Sequence, residues 1–323
     1  MIAFGVIGAG GIARTFCDAV NGIGGQLYAV ASRDIKKAVD YQKTYGFEKA
    51  YTSYEALFAD DAVDCVYIAT PHGLHYEQMM LALDYHKNIL CEKAFTLNAE
   101  QAKKVFEKAK ANGCFVMEAL WTRFLPTMIE VQELVSKGII GQVTKVEANF
   151  CFKASLGDES RLFAPHLGGG ALLDVGIYPL TFANMFLGTP KKIESTVDLY
   201  HTGVDLSSDI TLTYDHAKAY LKSSLGYNLP LEGFIYGEKG HIHMPMFLSA
   251  QHALIYNEHN ELIKEVKHSH QVNGMEYEII ETINCITNGQ MESPIMTHEA
   301  SLNILNQMDT LRKQWNLVYP QEK

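Results

Sequence analysis

The chain has 323 residues, of which 47% are apolar, 20% charged and 11% aromatic. Those proportions give enough apolar side chains to bury a full core, and the length suits about two domains. The formal net charge is −10, which disfavours a grip on phosphate backbones and with it general nucleic-acid binding. Residues 1–122 carry 12 basic and 14 acidic side chains, the rest 15 and 23, so an anionic ligand sits more easily on the first part. No run of 18 apolar residues occurs, so no membrane span is expected. The opening stretch reads as a buried strand and turn, not a signal peptide. Six scattered cysteines without a CxxC pair suit buried, reduced thiols in a cytoplasmic protein. The 13 histidines lack metal-ligand spacing, so no metal is expected.

Through the first 120 residues, short apolar runs at 2–7, 26–32, 64–69, 88–91 and 115–118 alternate with helical patterns at 12–21, 35–45, 74–84 and 99–112. Continuously apolar strands separated by helices imply a parallel sheet covered on both faces, a doubly wound α/β domain. After Pro126 the texture changes. A helix over 127–137 precedes an alternating strand over 143–152, and a Gly-rich turn opens an apolar helix over 167–187. Residues 191–266 read as short strands joined directly by turns, a mainly antiparallel sheet. Helices over 275–288 and 297–315 follow. The expected domains are residues 1–122, a Rossmann dinucleotide-binding unit, and 123–323, an α/β unit with an open sheet.

The segment Gly8-Ala9-Gly10-Gly11-Ile12-Ala13 is a GxGxxA element straight after a strand. Gly8 permits the tight turn, Gly10 lets backbone approach a pyrophosphate, and Ala13 lets the helix pack close. The backbone N–H groups opening the helix at Gly11 and Ile12 face the phosphates. The following strand ends Ser32-Arg33-Asp34. Arg33 suits the 2′-phosphate of NADP, whereas a carboxylate in this place holds the ribose of NAD, so Asp34 keeps NAD open. Thr70, Pro71, His72 and His75 follow another strand at the carboxyl edge, where ligands bind in such sheets. His75 either faces the cofactor or lies on the surface of the following helix.

Two further features carry chemistry. Glu92-Lys93 stands directly after an apolar strand, again at the ligand edge. Asp174 and Tyr178 lie four apart in Gly168-Gly169-Gly170-Ala171-Leu172-Leu173-Asp174-Val175-Gly176-Ile177-Tyr178, on one face of an otherwise apolar helix. A carboxylate there needs partners or a task. Trp121, Arg123 and Phe124 follow the last Rossmann strand, where aromatics suit stacking on a ring and Arg123 supplies donors; for Phe124, packing at the boundary explains the residue equally well. Arg161 and His166, in the loop before the glycines, either reach the substrate or are ordinary loop residues.

The fingerprint, Thr70-Pro71-His72, Glu92-Lys93 and the Gly169 to Tyr178 stretch together resemble the Gfo/Idh/MocA oxidoreductase family over essentially the whole chain. Met117-Glu118-Ala119-Leu120-Trp121-Thr122-Arg123-Phe124 looks like its branch of dihydrodiol and NADP-dependent xylose dehydrogenases. The resemblance implies a sugar, cyclic polyol or diol substrate, and a homodimer formed through the open sheet. By the same resemblance Lys93 matches the catalytic lysine, and Asp174 and Tyr178 match the active-site pair. Ala94 departs from the family's usual proline, which restricts the preceding residue to extended conformations.

Hydride exchange at a hydroxyl-bearing carbon requires that the hydroxyl proton be moved. Tyr178 is the expected acid/base, and a nearby Lys93 ammonium favours its phenolate. Two competing readings keep the fold: a dinucleotide-sensing regulator without catalysis, and a redox-neutral glycosidase holding NAD as a hydride store.

Overall fold

Six short strands at the start of the chain form one parallel sheet in the order β3-β2-β1-β4-β5-β6. In chain order the elements are β1 (Ala3–Ile7), α1 (Gly11–Gly22), β2 (Gln26–Ala31), α2 (Ile35–Tyr45), β3 (Lys49–Tyr51), α3 (Tyr54–Phe58), β4 (Cys65–Ile68), α4 (His72–Asp84), β5 (Asn88–Glu92), α5 (Ala99–Asn112) and β6 (Val116–Ala119). Every residue of β1, β4 and β5 other than Asn88 is buried, as strands covered on both faces require. β3 and α3 were not expected from the sequence. β3 has three half-exposed or exposed residues at the sheet's edge, too few to show a period.

The second sheet has eight strands in the order β14-β13-β12-β11-β7-β10-β9-β8. Its elements are α6 (Pro126–Ser136), β7 (Val143–Cys151), α7 (Ile177–Leu187), β8 (Lys192–Leu199), β9 (Asp205–Thr213), β10 (Lys218–Ser224), β11 (Glu232–Gly237), β12 (Gly240–Pro245), β13 (His252–Asn257) and β14 (Leu262–Lys267). All pairings are antiparallel except β7 with β10, which run parallel. Alternation is clean. Val146, Ala148, Ile210, Leu212, Ala219, Leu221, Ile235, Ile242 and Ile255 point inward, where α6 and α7 pack. Two last helices, α8 (Glu276–Thr287) and α9 (His298–Gln314), complete the chain.

The computed structural model describes residues Met1–Lys323 and divides into two units, Met1–Trp121 with His270–Leu302, and Thr122–Ser269 with Asn303–Lys323. The second expected domain, 123–323, is therefore not continuous: residues 270–302 fold with the first. The Glu276 carboxylate shapes the turn that opens this return, accepting the backbone N–H groups of Gln271, Val272, Asn273 and Gly274 at 2.6–3.1 Å. Asn273 then donates to the Thr15 carbonyl on α1 at 2.8 Å. Such long-range contacts leave no periodic trace.

The helix expected over 167–187 is also divided. A 3-10 turn (Pro165–Leu167) is followed by a glycine turn, a π-helical turn (Leu172–Gly176) and then α7. By length and composition Pro165–Leu187 is apolar enough to cross a membrane, but 78% of its apolar window is buried inside the protein; it is a core helix of the second unit.

Candidate active site

Gly8 leaves β1 with φ +94°, and a Cβ on it would lie 2.6 Å from the Ala69 carbonyl oxygen. The loops after β1 and β4 thus touch, at the switch point of the strand order where ligands bind. Gly10 and Gly11 differ. A Cβ on either would meet nothing within 4 Å, and Gly10 is extended at φ −110° and ψ −174°. The fold itself requires glycine at position 8 only. Bare backbone at 10 and 11 suits a ligand that must come close. α1 begins without a side-chain cap and without an acid in its first turn, so its N-terminal N–H groups suit an anion. Ile12, in that turn, is 43% exposed. From behind, Tyr41 on α2 donates to the Gly10 carbonyl, and the Arg14 guanidinium lies 5.7 Å from the Tyr41 ring centroid. These residues fit a dinucleotide pyrophosphate.

At the end of β2, Ser32 is buried and its hydroxyl accepts the Asp34 N–H at 3.2 Å. Asp34 is spent on the fold, its carboxylate accepting Lys36 N–H at 3.0 Å as the N-cap of α2. Arg33 is exposed. It lies beside Tyr54, whose pKa burial raises and the Arg33 charge pulls back.

At the ends of β4 and β5 the structure revises one reading. His75 is fully buried rather than on a helix surface. Its Nδ1 lies 3.0 Å from the Ala94 carbonyl and its Nε2 lies 2.7 Å from the Thr70 carbonyl, so the ring ties the loop after β4 to the segment after β5. Burial, with the Lys93 charge, lowers its pKa against the opposing pull of those carbonyls. Pro71 is the N-cap of α4 and Thr70 donates to Gln78 Oε1 at 2.5 Å. Lys93, half-exposed, directly follows β5, and its peptide bond to Ala94 is cis.

Glu92, next to Lys93, is buried, as are two acids that the sequence reading did not assign to the site, Glu118 and Glu278. Glu92 accepts a hydrogen bond from the Tyr67 hydroxyl, and Tyr67 stacks on Phe16 of α1 with ring centroids 3.7 Å apart. Glu278, from α8, is fully buried with neither carboxylate oxygen hydrogen-bonded. Burial first, and the Glu92 charge second, push its pKa well above the usual carboxylate range. Glu118 on β6 accepts Phe95 N–H at 3.0 Å and the Ser301 hydroxyl at 2.7 Å. No local signal marks Glu278 as a buried acid; it is a polar residue on an amphipathic helix until the fold buries it.

Trp121 belongs to the first unit and packs on the 270–274 turn, where a Cβ on Gly274 would lie 2.7 Å from its Cζ3. In the second unit, Arg123 is half-exposed and Phe124 is buried. Asp174 is 5% exposed on the π turn and its Oδ1 accepts Arg161 Nη1 at 2.8 Å. A π turn bonds backbone groups five residues apart rather than four, so Asp174 and Tyr178 are not set by a regular α-helix as expected; π turns recur at functional sites. Tyr178 lies in the first turn of α7, 7% exposed, its ring 5.7 Å from that of Phe150. His166 is exposed, and its carbonyl accepts Gln321 Nε2 at 2.6 Å.

The parallel sheet, the bare glycine ledge and the basic end of β2 define a dinucleotide-binding Rossmann protein. Residues 2–120 match an oxidoreductase family with an NAD-binding Rossmann fold, and residues 128–243 match the GFO/IDH/MocA C-terminal domain. The chain is 33% identical to trans-1,2-dihydrobenzene-1,2-diol dehydrogenase of Danio rerio, with 99% of each chain covered. It is 32% identical to D-xylose 1-dehydrogenase (NADP(+)) of Hypocrea jecorina, covering 99% of this chain and 93% of that one. A solved structure of a 3-ketoreductase from Actinomadura kijaniata in complex with NADP superposes with TM-score 0.82 at 25% identity, covering 97% of each chain. The chain belongs to the Gfo/Idh/MocA oxidoreductase family, and its first unit is an NAD(P)-binding Rossmann fold.

Proposed function

We propose that the protein is an NADP-dependent dehydrogenase or reductase of a sugar, cyclic polyol or diol. The observation that carries the cofactor reading is the division of labour at the end of β2: Asp34 caps a helix while Arg33 projects to solvent. A guanidinium suits a 2′-phosphate, and the residue that would hold the ribose of NAD is already engaged. The substrate class rests on the diol and sugar dehydrogenases to which the chain is similar from end to end.

A bound nicotinamide dinucleotide supplies the two-electron acceptor or donor. Gly10, Gly11 and the start of α1 hold its phosphates, and Arg33 with Ser32 its 2′-phosphate. The remaining task is the proton. Tyr178 takes it from the substrate hydroxyl oxygen in oxidation and returns it to the carbonyl oxygen in reduction. A free tyrosine stays protonated up to about pH 10; the Lys93 ammonium favours the phenolate and makes proton transfer feasible near neutrality. Asp174, held by Arg161, accepts a hydrogen bond from a second substrate hydroxyl, and Trp121, Arg123 and His166 shape the pocket.

We further propose a cytoplasmic homodimer. Six free cysteines, all buried, support the reducing compartment. The outer face of the eight-stranded sheet supports the dimer. It presents Glu147, Asn149, Tyr220, Lys222, Glu232 and Phe234 around a shallow cavity, opposite the face covered by α6 and α7. Light scattering tests it: a mass near one chain refutes the dimer.

The activity is tested by nicotinamide absorbance with NADP or NAD against D-xylose, D-glucose, inositol and a cyclohexene diol, with dicarbonyls and the reduced cofactors for the reverse direction. Turnover with NADP and one of these substrates supports the proposal. Tight cofactor binding without turnover across the panel overturns it in favour of a dinucleotide sensor or a redox-neutral glycosidase.

A further inference from the structure

Asp174 and Tyr178 follow a turn, residues 168–170, that the second unit grips from two sides. Gly168 and Gly170 have φ +73° and +119°, left-handed values that favour glycine. A Cβ on Gly170 would lie 2.2 Å from Asp205 Oδ1, so the first residue of β9 packs directly on the turn. Asp205 is fully buried, and its Oδ2 accepts the Leu172 N–H at 2.6 Å. That N–H belongs to the first residue of the π turn, one of the donors that a helix start leaves unpaired.

The other side is held by the segment after α9. Tyr319, 1% exposed, donates its hydroxyl to the Gly169 carbonyl at 2.7 Å. Gln321 donates to the His166 carbonyl. Tyr319 is itself fixed. Its N–H donates to Glu322 Oε2 at 2.9 Å, Glu322 receives both Nη atoms of Arg312 at 2.7 and 2.9 Å, and the Arg312 guanidinium lies 5.0 Å from the Tyr319 ring centroid. A two-point bond to a carboxylate is directional as well as strong. A continuous chain of contacts thus runs from the end of α9 through Arg312, Glu322 and Tyr319 to the Gly169 carbonyl, three residues before Leu172 and five before Asp174.

We propose that Tyr319 and Asp205 are positioning residues: together they fix the glycine turn and the register of the π turn, and so set where Asp174 and Tyr178 stand. The inference rests on the reading of Tyr178 as the acid/base. A hydroxyl and a carboxylate spent on one Gly169 carbonyl and one Leu172 N–H secure the backbone whose side chains need placement, and misplacement by about 1 Å is enough to slow an enzyme markedly.

The test compares Tyr319→Phe and Glu322→Gln with the unaltered protein and with Tyr178→Phe, reading kcat, KM, NADP affinity, Tm and amide hydrogen exchange over residues 168–176. Tyr319→Phe keeps the ring and loses one hydrogen bond, so it should fold. Expected are a fall in kcat of about tenfold, NADP affinity within twofold, and faster exchange across 168–176; Glu322→Gln, which loosens Tyr319 without touching the turn, should show the same pattern more weakly. A purely structural role would lower Tm while leaving kcat of the folded enzyme at 25 °C unchanged, and that result overturns the proposal. Hydrogen exchange needs no substrate. Unchanged exchange over 168–176 in Tyr319→Phe refutes the clamp whatever the kinetics, whereas full activity in Tyr178→Phe refutes the acid/base reading and leaves the clamp to be decided by exchange.

Discussion

Substituting Gly8 and Gly10 separately by alanine should divide folding from binding within one loop. At Gly8 the backbone is left-handed and a Cβ would stand 2.6, 2.7 and 2.9 Å from the Ala69 oxygen, Ala69 carbon and Thr70 nitrogen. All three are backbone atoms of a neighbouring loop, so no side chain can rotate away. A non-glycine residue held in an unfavourable region costs about 1–3 kcal/mol, and overpacking typically adds a further 1–3 kcal/mol. Gly8→Ala should therefore lose about 2–6 kcal/mol, roughly 5–20 °C in Tm for a unit of this size. At Gly10 the backbone is extended and no atom lies within 4 Å of a Cβ. Gly10→Ala should leave Tm within about 2 °C, since open positions tolerate substitution within about 0.5 kcal/mol. Its methyl group would nonetheless occupy the ledge assigned to the pyrophosphate, so NADP affinity should fall tenfold or more, about 1.4 kcal/mol. Thermal denaturation and NADPH fluorescence titration measure the two effects. Unaltered NADP binding by a well-folded Gly10→Ala would refute the assignment of the ledge, and unaltered Tm in Gly8→Ala would refute the steric reasoning.

Three other expectations concern single side chains. Arg33→Ala should weaken NADP tenfold or more, the loss of a charge-assisted hydrogen bond of about 1.5–3 kcal/mol, while NAD changes little; equal losses for the two cofactors would contradict a 2′-phosphate contact. Tyr178→Phe should leave NADP binding intact and lower kcat by roughly 10²–10⁴, the scale of acid–base catalysis, and steady-state kinetics with any accepted substrate decides it. Glu278→Gln addresses pH. The folded carboxyl is neutral well above the pH at which an unfolded glutamate ionises, so the unfolded state releases its proton first and stability falls as pH rises from about 4.3 towards the folded pKa. Glutamine removes that dependence: Tm should rise relative to the parent at pH 8, and the difference should shrink towards pH 4. A difference that is the same at both pH values would mean that Glu278 is ionised when folded.

Much of the first unit was legible because its signals are local. Apolar runs alternating with amphipathic helices place β1, β2, β4, β5 and β6 within a residue or two of their observed limits, since a strand buried on both faces must be apolar throughout. The glycine loop is legible for the same reason: Gly8 answers a local backbone demand and Gly10 the approach of a ligand. Ser32, Arg33, Asp34 and Lys93 stand at strand ends, and in a parallel sheet a strand's end fixes the side on which its residue emerges.

Tertiary structure decided what depends on partners distant in the chain. His75 becomes a buried strut only because the Ala94 carbonyl, 19 residues further along, meets its ring opposite that of Thr70. The return of residues 270–302 to the first unit includes Asn273 reaching the Thr15 carbonyl, 258 residues away, a contact with no period to read. The π turn at Asp174 is likewise invisible in an apolar sequence that suits an α-helix equally well; its surroundings, Asp205 and Tyr319 lying 31 and 145 residues further along, are assembled by the fold. Local periodicity reports which face of an element is buried, and it carries no information about which distant atom will fill the space against it.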